Sequence, residues 1–177
     1  MKTTERLILR KPEKQDFERF FEINKDPQTN LYNPSGPMSL EKAENTFNRM
    51  LEHWDQYNFG GWAILEKENP DRVIGFGGLS YKMYDEEEKL NLGYRFAPEA
   101  WGKGYATEAA NYFKNIGFKN NVAESLISII DVENFPSQRV AERNGMKREK
   151  HLEWMKLQVY IYRIDKDEWK KNSEAMV

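Results

Sequence analysis

The chain has 177 residues, 39% hydrophobic, 14% aromatic and 32% charged, which is enough apolar side chain to bury one core and sets it apart from disordered sequences. Its formal net charge of -2 gives no electrostatic reason to expect a nucleic-acid backbone or an anionic membrane as a partner. It has no cysteine and only two histidines, His53 and His151, so a thiol nucleophile, a disulfide frame and a cysteine-zinc site are excluded, and the pattern argues against a metal site or a serine-histidine triad.

The opening stretch MKTTERLILRKPEK has no long apolar run and no small-residue cleavage site, and no segment reaches the roughly 20 apolar residues that span a bilayer. An untargeted cytoplasmic protein is expected. Arg6–Arg10 reads as a short strand closed by Pro12. Phe17, Phe20, Phe21 and Ile23 recur at helical spacing within 16–24. Residues 26–37 carry three prolines and form a loop, after which Ser39 is placed to cap a helix with Leu40, Ala43, Phe47, Met50, Leu51 and Trp54 along one face. Gly61–Glu66 and Val73–Tyr81 read as an antiparallel hairpin, with its turn at Asn69-Pro70-Asp71. The acidic run Asp85–Glu88 reads as a solvated hairpin tip rather than a cation site.

Lys89–Phe96 is the next strand, with Leu90, Leu92, Tyr94 and Phe96 on one face and Asn91, Gly93 and Arg95 on the other. Gly93 inside it suggests a bulge or the close approach of another chain. Residues 104–119 read as a helix, 125–132 as a buried strand, 136–144 as a short helix ended by Gly145, and 159–164 as a last strand before a polar tail.

The chemistry concentrates in Ala97-Pro98-Glu99-Ala100-Trp101-Gly102-Lys103-Gly104-Tyr105-Ala106-Thr107-Glu108-Ala109. A strand stops, a glycine-rich turn follows and a small-residue helix begins. Such a turn leaves N–H groups unpaired at a helix N-terminus, where the helix dipole favours an anion. Gly102 and Gly104 remove side chains that would hold a phosphate away, so the ligand is expected to be a pyrophosphate. A P-loop would need a lysine-serine or lysine-threonine pair, and a dinucleotide fold an early Gly-x-Gly-x-x-Gly; neither is present. Coenzyme A is the third reading, and a plain strand-to-helix turn carries the same glycines.

Trp101-Gly102-Lys103-Gly104-Tyr105-Ala106-Thr107-Glu108-Ala109 resembles the pyrophosphate loop of the GNAT superfamily of N-acetyltransferases, most closely the branch with the RimJ and RimL ribosomal-protein N-terminal acetyltransferases. Thr4–Arg10, Ile74–Leu79, Leu92-Gly93-Tyr94, Asn134-Phe135-Pro136-Ser137 and Glu142–Met146 are similar to further landmarks of that family in the same order. The resemblance implies a single N-acetyltransferase domain over 1–177 with its core at about 4–169. It implies an α+β (mixed α/β) fold: a mixed, mostly antiparallel sheet of about seven strands flanked by about four helices, splayed open between 89–96 and 125–132 to hold acetyl-CoA. The pantetheine arm would pair with the backbone of Arg95, Phe96 and Ala97 and bond Asn134. The pyrophosphate would meet the N–H groups of Gly102, Lys103, Gly104, Tyr105, Ala106 and Thr107. No metal is implied. The partner is an amine acceptor, either a protein N-terminus or a small molecule, and the assembly a monomer or homodimer.

Two positions depart from the family pattern. Asn91 stands where many members carry a glutamate base, and Ala141 where many carry a tyrosine acid. Asn91 cannot take a proton but can hold a water, and main-chain N–H groups near Leu92–Tyr94 would serve the thioester carbonyl. Ser137 is the candidate donor of a proton to the leaving thiolate, against a role as helix cap; Tyr94, Tyr160 and Tyr162 are alternatives, against core packing. Glu133 and Asp131 could act as bases through water or be solvated strand-end acids. Trp101 covers the adenine or underlies the loop, and Lys103, Arg139 and Arg143 offset phosphate charge or stay solvated. His53 reads as polar surface, and His151 has no visible role.

A lysine amine is neutral in only about one molecule in 2,500 at pH 7, and deprotonating it costs about 4.6 kcal/mol, against about 1 kcal/mol for an α-amine. A site without a strong base therefore suits an α-amine, of a peptide or protein N-terminus or of an amino acid. The loop 26–37, the helix from Ser39 and the last hairpin before Val159 are expected to line the acceptor site, with Tyr32 and Trp62 either there or in the core. A non-catalytic acyl-CoA-binding module and a kinase-like or dehydrogenase-like nucleotide-binding domain are the competing readings.

Overall fold

The structure, a computed structural model, describes residues 1–84 and 86–174. Asp85, in the acidic run assigned to a hairpin tip, and residues 175–177 of the expected domain lie outside the described residues. Among the described residues, eight strands and five α-helices follow in the order β1 (Lys2–Thr3), β2 (Leu7–Arg10), α1 (Phe17–Lys25), α2 (Leu40–Tyr57), β3 (Gly61–Glu66), β4 (Asn69–Tyr84), β5 (Glu87–Phe96), α3 (Tyr105–Lys119), β6 (Ser125–Asp131), α4 (Phe135–Arg143), β7 (Lys147–Trp154), β8 (Leu157–Asp165) and α5 (Lys166–Glu174). The strand order is β1-β2-β3-β4-β5-β6-β8-β7. The β1–β2, β2–β3, β3–β4, β6–β8 and β7–β8 pairs are antiparallel, and β5–β6 is parallel with one registered pair, Asn91↔Ile127.

The chain forms two compact units, Met1–Gly78 with Tyr94–Ala109, and Leu79–Gly93 with the chain from Ala110 onward. The first is built on the apolar face of α1 and α2. Phe20, Ile23, Ala43 and Phe47 pack on Ala63, Leu65, Val73, Phe76 and Ala97 of the strands, and Phe20 meets Phe47 and Phe76 at ring distances of 5.1 and 5.2 Å. Ser39 caps α2 as its sequence position predicts, its Oγ accepting from the Lys42 N–H at 3.3 Å. In the second unit Tyr84, Ile127, Val159 and Ile161 form a core cluster.

Three expectations are corrected. The β3–β4 turn falls at Lys67-Glu68, because Glu66 pairs directly with Asn69. Pro70 and Asp71 then lie inside β4, where register shifts beside Leu65 absorb the missing ladder bond of proline. The polar tail after 165 is helical, as α5. The helix at 135–143 is capped by Asn134, whose Oδ1 accepts from the Ser137 N–H at 3.2 Å, so Ser137 sits inside the first turn rather than at the cap.

The strands of the first unit approach closely at Gly78, where an added Cβ would lie 2.1 Å from the Gly60 carbonyl oxygen. The nearest atoms are all Gly60–Gly61 backbone, with no flexible side chain among them to give way. Gly78→Ala is expected to lower unfolding free energy by about 3 kcal/mol, read by urea denaturation; unchanged stability would contradict this packing.

Candidate functional site

In the first unit β5 runs out at Phe96, and the Ala97 N–H bonds the Ile74 oxygen at 2.9 Å. A short 3-10 turn at Pro98–Ala100 follows, and the Trp101 Nε1 donates back to the Phe96 oxygen at 3.0 Å. The Trp101 indole, about half exposed, therefore pins the loop to the strand end. Gly102 and Gly104 have φ of +75° and +80°, left-handed values that a side chain resists. A Cβ at Gly102 would meet nothing within 4 Å. The first internal bond of α3 is the Glu108 N–H to the Gly104 oxygen, so the N–H groups of Gly104, Tyr105 and Ala106 precede the helical ladder.

A brace sets this turn. The Glu108 carboxylate accepts from the Thr4 Oγ1 at 2.5 Å, the Arg6 main-chain N–H at 2.7 Å and the Arg6 Nε at 2.8 Å. The Arg6 Nη1 also donates to the Lys103 oxygen at 2.7 Å, and its guanidinium lies over the Tyr105 ring. On the other side the Lys103 Nζ bonds Glu66 at 2.9 Å. Burial pushes the Glu108 pKa up, but the bonds from Thr4 and Arg6 outweigh it and leave a net lowering.

In the second unit Asn91 is 9% exposed, and among the described residues its amide has no protein partner. A Cβ at Gly93 would press on the Asn91 Nδ2 at 3.1 Å, so the glycine leaves that amide room. The buried Ser128 hydroxyl donates to the Leu92 oxygen at 2.9 Å, just past the single β5–β6 pair. Ser137 is half-buried in α4, and its hydroxyl likewise has no protein partner among the described residues.

A family model described as the acetyltransferase (GNAT) domain matches residues 6–147. The chain is a member of the GNAT acetyltransferase family. It is 30% identical over 175 residues to YnaD, an uncharacterised N-acetyltransferase of Bacillus subtilis, covering 94% of this chain and 98% of the relative. Among solved structures it is similar to a GNAT-family acetyltransferase from Bacillus anthracis, with a TM-score of 0.76, 29% identity and coverage of 93% and 98% of the two chains. It shares its fold with the spermidine N-acetyltransferase of Vibrio cholerae in complex with CoA and spermine, at 20% identity, a TM-score of 0.75 and coverage of 93% and 98%.

This GNAT chain brings Arg95, Phe96, Ala97, Gly102, Lys103, Gly104, Tyr105, Ala106 and Thr107 together in the first unit, and holds Asn91, Asn134 and Ser137 in the second; Tyr94 opens the β5 stretch of the first unit. The Lys103 ammonium is paired with Glu66. The Tyr162 hydroxyl donates to Glu142 at 3.1 Å, and burial first, then that carboxylate, push its pKa up to about 12, which weakens it as a proton donor to a thiolate. Tyr160 stacks under the Arg148 guanidinium. His53 is a packing residue between Tyr57 and Phe59, not simple polar surface. Sequence reading missed the brace of Thr4, Arg6, Glu66 and Glu108, although an acid in the first turn of a helix is itself a signal.

Glu108→Gln removes the charge that Arg6 and Thr4 hold, and is expected to raise the KM for acetyl-CoA several-fold with a smaller change in kcat. The sign of the pH effect follows from the depressed pKa. The stabilisation is full above the ordinary value of 4.5 and is lost as the pH falls through the lowered native value. The stability difference between the protein and its E108Q variant should therefore shrink between roughly pH 7 and pH 3; a constant difference would contradict the brace.

Proposed function

We propose that this acetyl-CoA-dependent N-acetyltransferase acetylates an α-amine, at a peptide or protein N-terminus in the manner of the RimJ/RimL-like branch, with 1–177 acting as one catalytic domain. The observation that carries this is that, among the described residues, no carboxylate has its pKa raised toward neutrality. Asn91 and the buried Ala141 cannot exchange protons. Four described carboxylates depart from the ordinary range, and all move down. Hydrogen bonds from Lys103 and Lys147 lower Glu66 and Glu168, while at Glu99 and Glu108 burial raises the pKa and hydrogen bonds outweigh it. None is held protonation-ready near neutrality, so an acceptor that loses its proton easily is favoured.

The residues present fit the co-substrate. Two left-handed glycines, an open Gly102 position and helix-terminal N–H groups at Gly104–Ala106 suit a diphosphate. In this reading those N–H groups and that of Thr107 bind the diphosphate, Lys103 contributes its main chain, and the Arg95–Ala97 backbone holds the pantetheine arm. Acetyl-CoA supplies the activated acyl group. The Asn91 amide orients the incoming amine directly or through a water. Main-chain N–H groups near Leu92–Tyr94, steadied where Ser128 fixes the Leu92 oxygen, meet charge developing on the thioester oxygen. The neutral amine nitrogen bonds to the acyl carbon, the carbon–sulfur bond breaks, the Ser137 hydroxyl, or in its place Tyr94, passes a proton to the thiolate, and that hydroxyl regains the proton the nitrogen sheds, directly or through a water.

Release of CoA thiol with peptides matched in shape and differing in α- or ε-amine tests this reading. The α-amine is expected to give at least about tenfold higher kcat/KM at neutral pH, because its deprotonation costs less by roughly 3.6 kcal/mol; a clear ε-amine preference would overturn it. Asn91→Ala is expected to lower kcat by about tenfold while leaving the KM for acetyl-CoA nearly unchanged.

A further inference from the structure

The Arg95 guanidinium is the exception among the arginines. Arg10, Arg19 and Arg163, the other described arginines that are not exposed, each pair with a carboxylate. Arg95 pairs with none among the described residues. Its Nη1 donates to the Asn24 Oδ1 at 3.0 Å and the Asn30 Oδ1 at 2.7 Å. A guanidinium carries five N–H donors and keeps its charge in proteins, and the Nε and Nη2 of Arg95 have no protein acceptor among the described residues. Burial lowers its pKa, with no anion nearby to oppose that effect. A half-buried cation left without a counter-charge is destabilising, which a bound anion would offset.

The two asparagines are held in place. The Asn24 Nδ2 donates to the Phe20 oxygen at 2.8 Å, and the Asn30 Nδ2 to the Asn24 and Asp26 oxygens at 2.7 and 2.8 Å. The Asn33 Nδ2 bonds the Asn30 Oδ1 at 2.7 Å. Arg95 is thus fixed against the end of α1 and the segment 26–37, the segment read as acceptor-lining, beside the Phe96–Ala97 backbone.

We infer that Arg95 binds a carboxylate carried by the acceptor, so that the preferred substrate is an amine whose carrier also bears an acid group. The inference rests on the reading of the chain as an amine acetyltransferase with that segment at the acceptor. A fixed cation at this position also disfavours a polycationic acceptor.

The test uses the full chain and peptide pairs that share one amine and differ by Glu against Gln at the second residue, or by C-terminal acid against amide, in an α-amine and an ε-amine series. The protein is expected to favour the acid member by about tenfold in kcat/KM, mainly through KM, the size of a charge-assisted bond. At saturating acetyl-CoA, R95Q should reduce that ratio below about threefold, and R95K should keep part of it. Indifference to the acid in every pair, or an R95Q effect confined to the KM for acetyl-CoA, as expected if the anion were a phosphate of that co-substrate, would overturn the inference. Discrimination by acid in an ε-amine-preferring enzyme would overturn only the α-amine reading. If R95Q fails to fold, the pair comparison in the unmodified protein decides. If no peptide is turned over, calorimetry with the N-acetylated acid and amide products decides, and equal or absent binding overturns the inference.

Discussion

One carboxylate sets the height of the α3 N-terminus. Glu108 takes three hydrogen bonds from Thr4 and Arg6, and the same arginine reaches forward to the Lys103 oxygen. Residues a hundred positions apart in sequence thereby fix a turn that two left-handed glycines make possible. Without this tether, a loop of small residues at a helix start would sample many conformations, and its N–H groups would not converge. The arrangement costs little at binding because it is set in the folded chain.

In the proposed reading Asn91 orients the amine, and the one proton donation is left to Ser137 or Tyr94. Asn91 and Ser137 offer polar atoms without protein partners among the described residues, and hydrogen bonds lower the pKa of Glu66, Glu99, Glu108 and Glu168. That places the burden of selectivity on what the acceptor itself brings: an amine that deprotonates readily, and in our inference a carboxylate for Arg95. The same logic explains the asparagine framework around Arg95. Neutral carbonyl oxygens fix a guanidinium without cancelling its charge.

Much of the fold was legible because periodicity tracks burial. The α2 stripe and its Ser39 cap, the apolar run of β6 and the glycine turn before α3 all appear where pattern and turn chemistry place them. What was illegible lacks those signals. β7, Lys-Arg-Glu-Lys-His-Leu-Glu-Trp, lies at the sheet edge and is mostly exposed, so it shows no apolar alternation. Its turn into β8 uses Met155 and Lys156 at φ of 50° and 67°, where asparagine and glycine would have announced a hairpin. α5 is polar, and β1 has two residues. In the site, the phosphate-loop candidates were readable from local spacing. The Arg6–Glu108 brace and the Arg95–Asn24–Asn30 network were not, since each joins residues 65 or more apart, and nothing local marks such pairs.

Co-substrate binding depends, in the proposed reading, on whether the N–H groups at the start of α3 hold a diphosphate. Amide resonances of Gly104, Tyr105 and Ala106, followed while CoA and then pantetheine, which has no diphosphate, are titrated into the protein, measure this most directly. Large shifts with CoA and none with pantetheine are predicted. Equal shifts with both, or none with either, would contradict the claim.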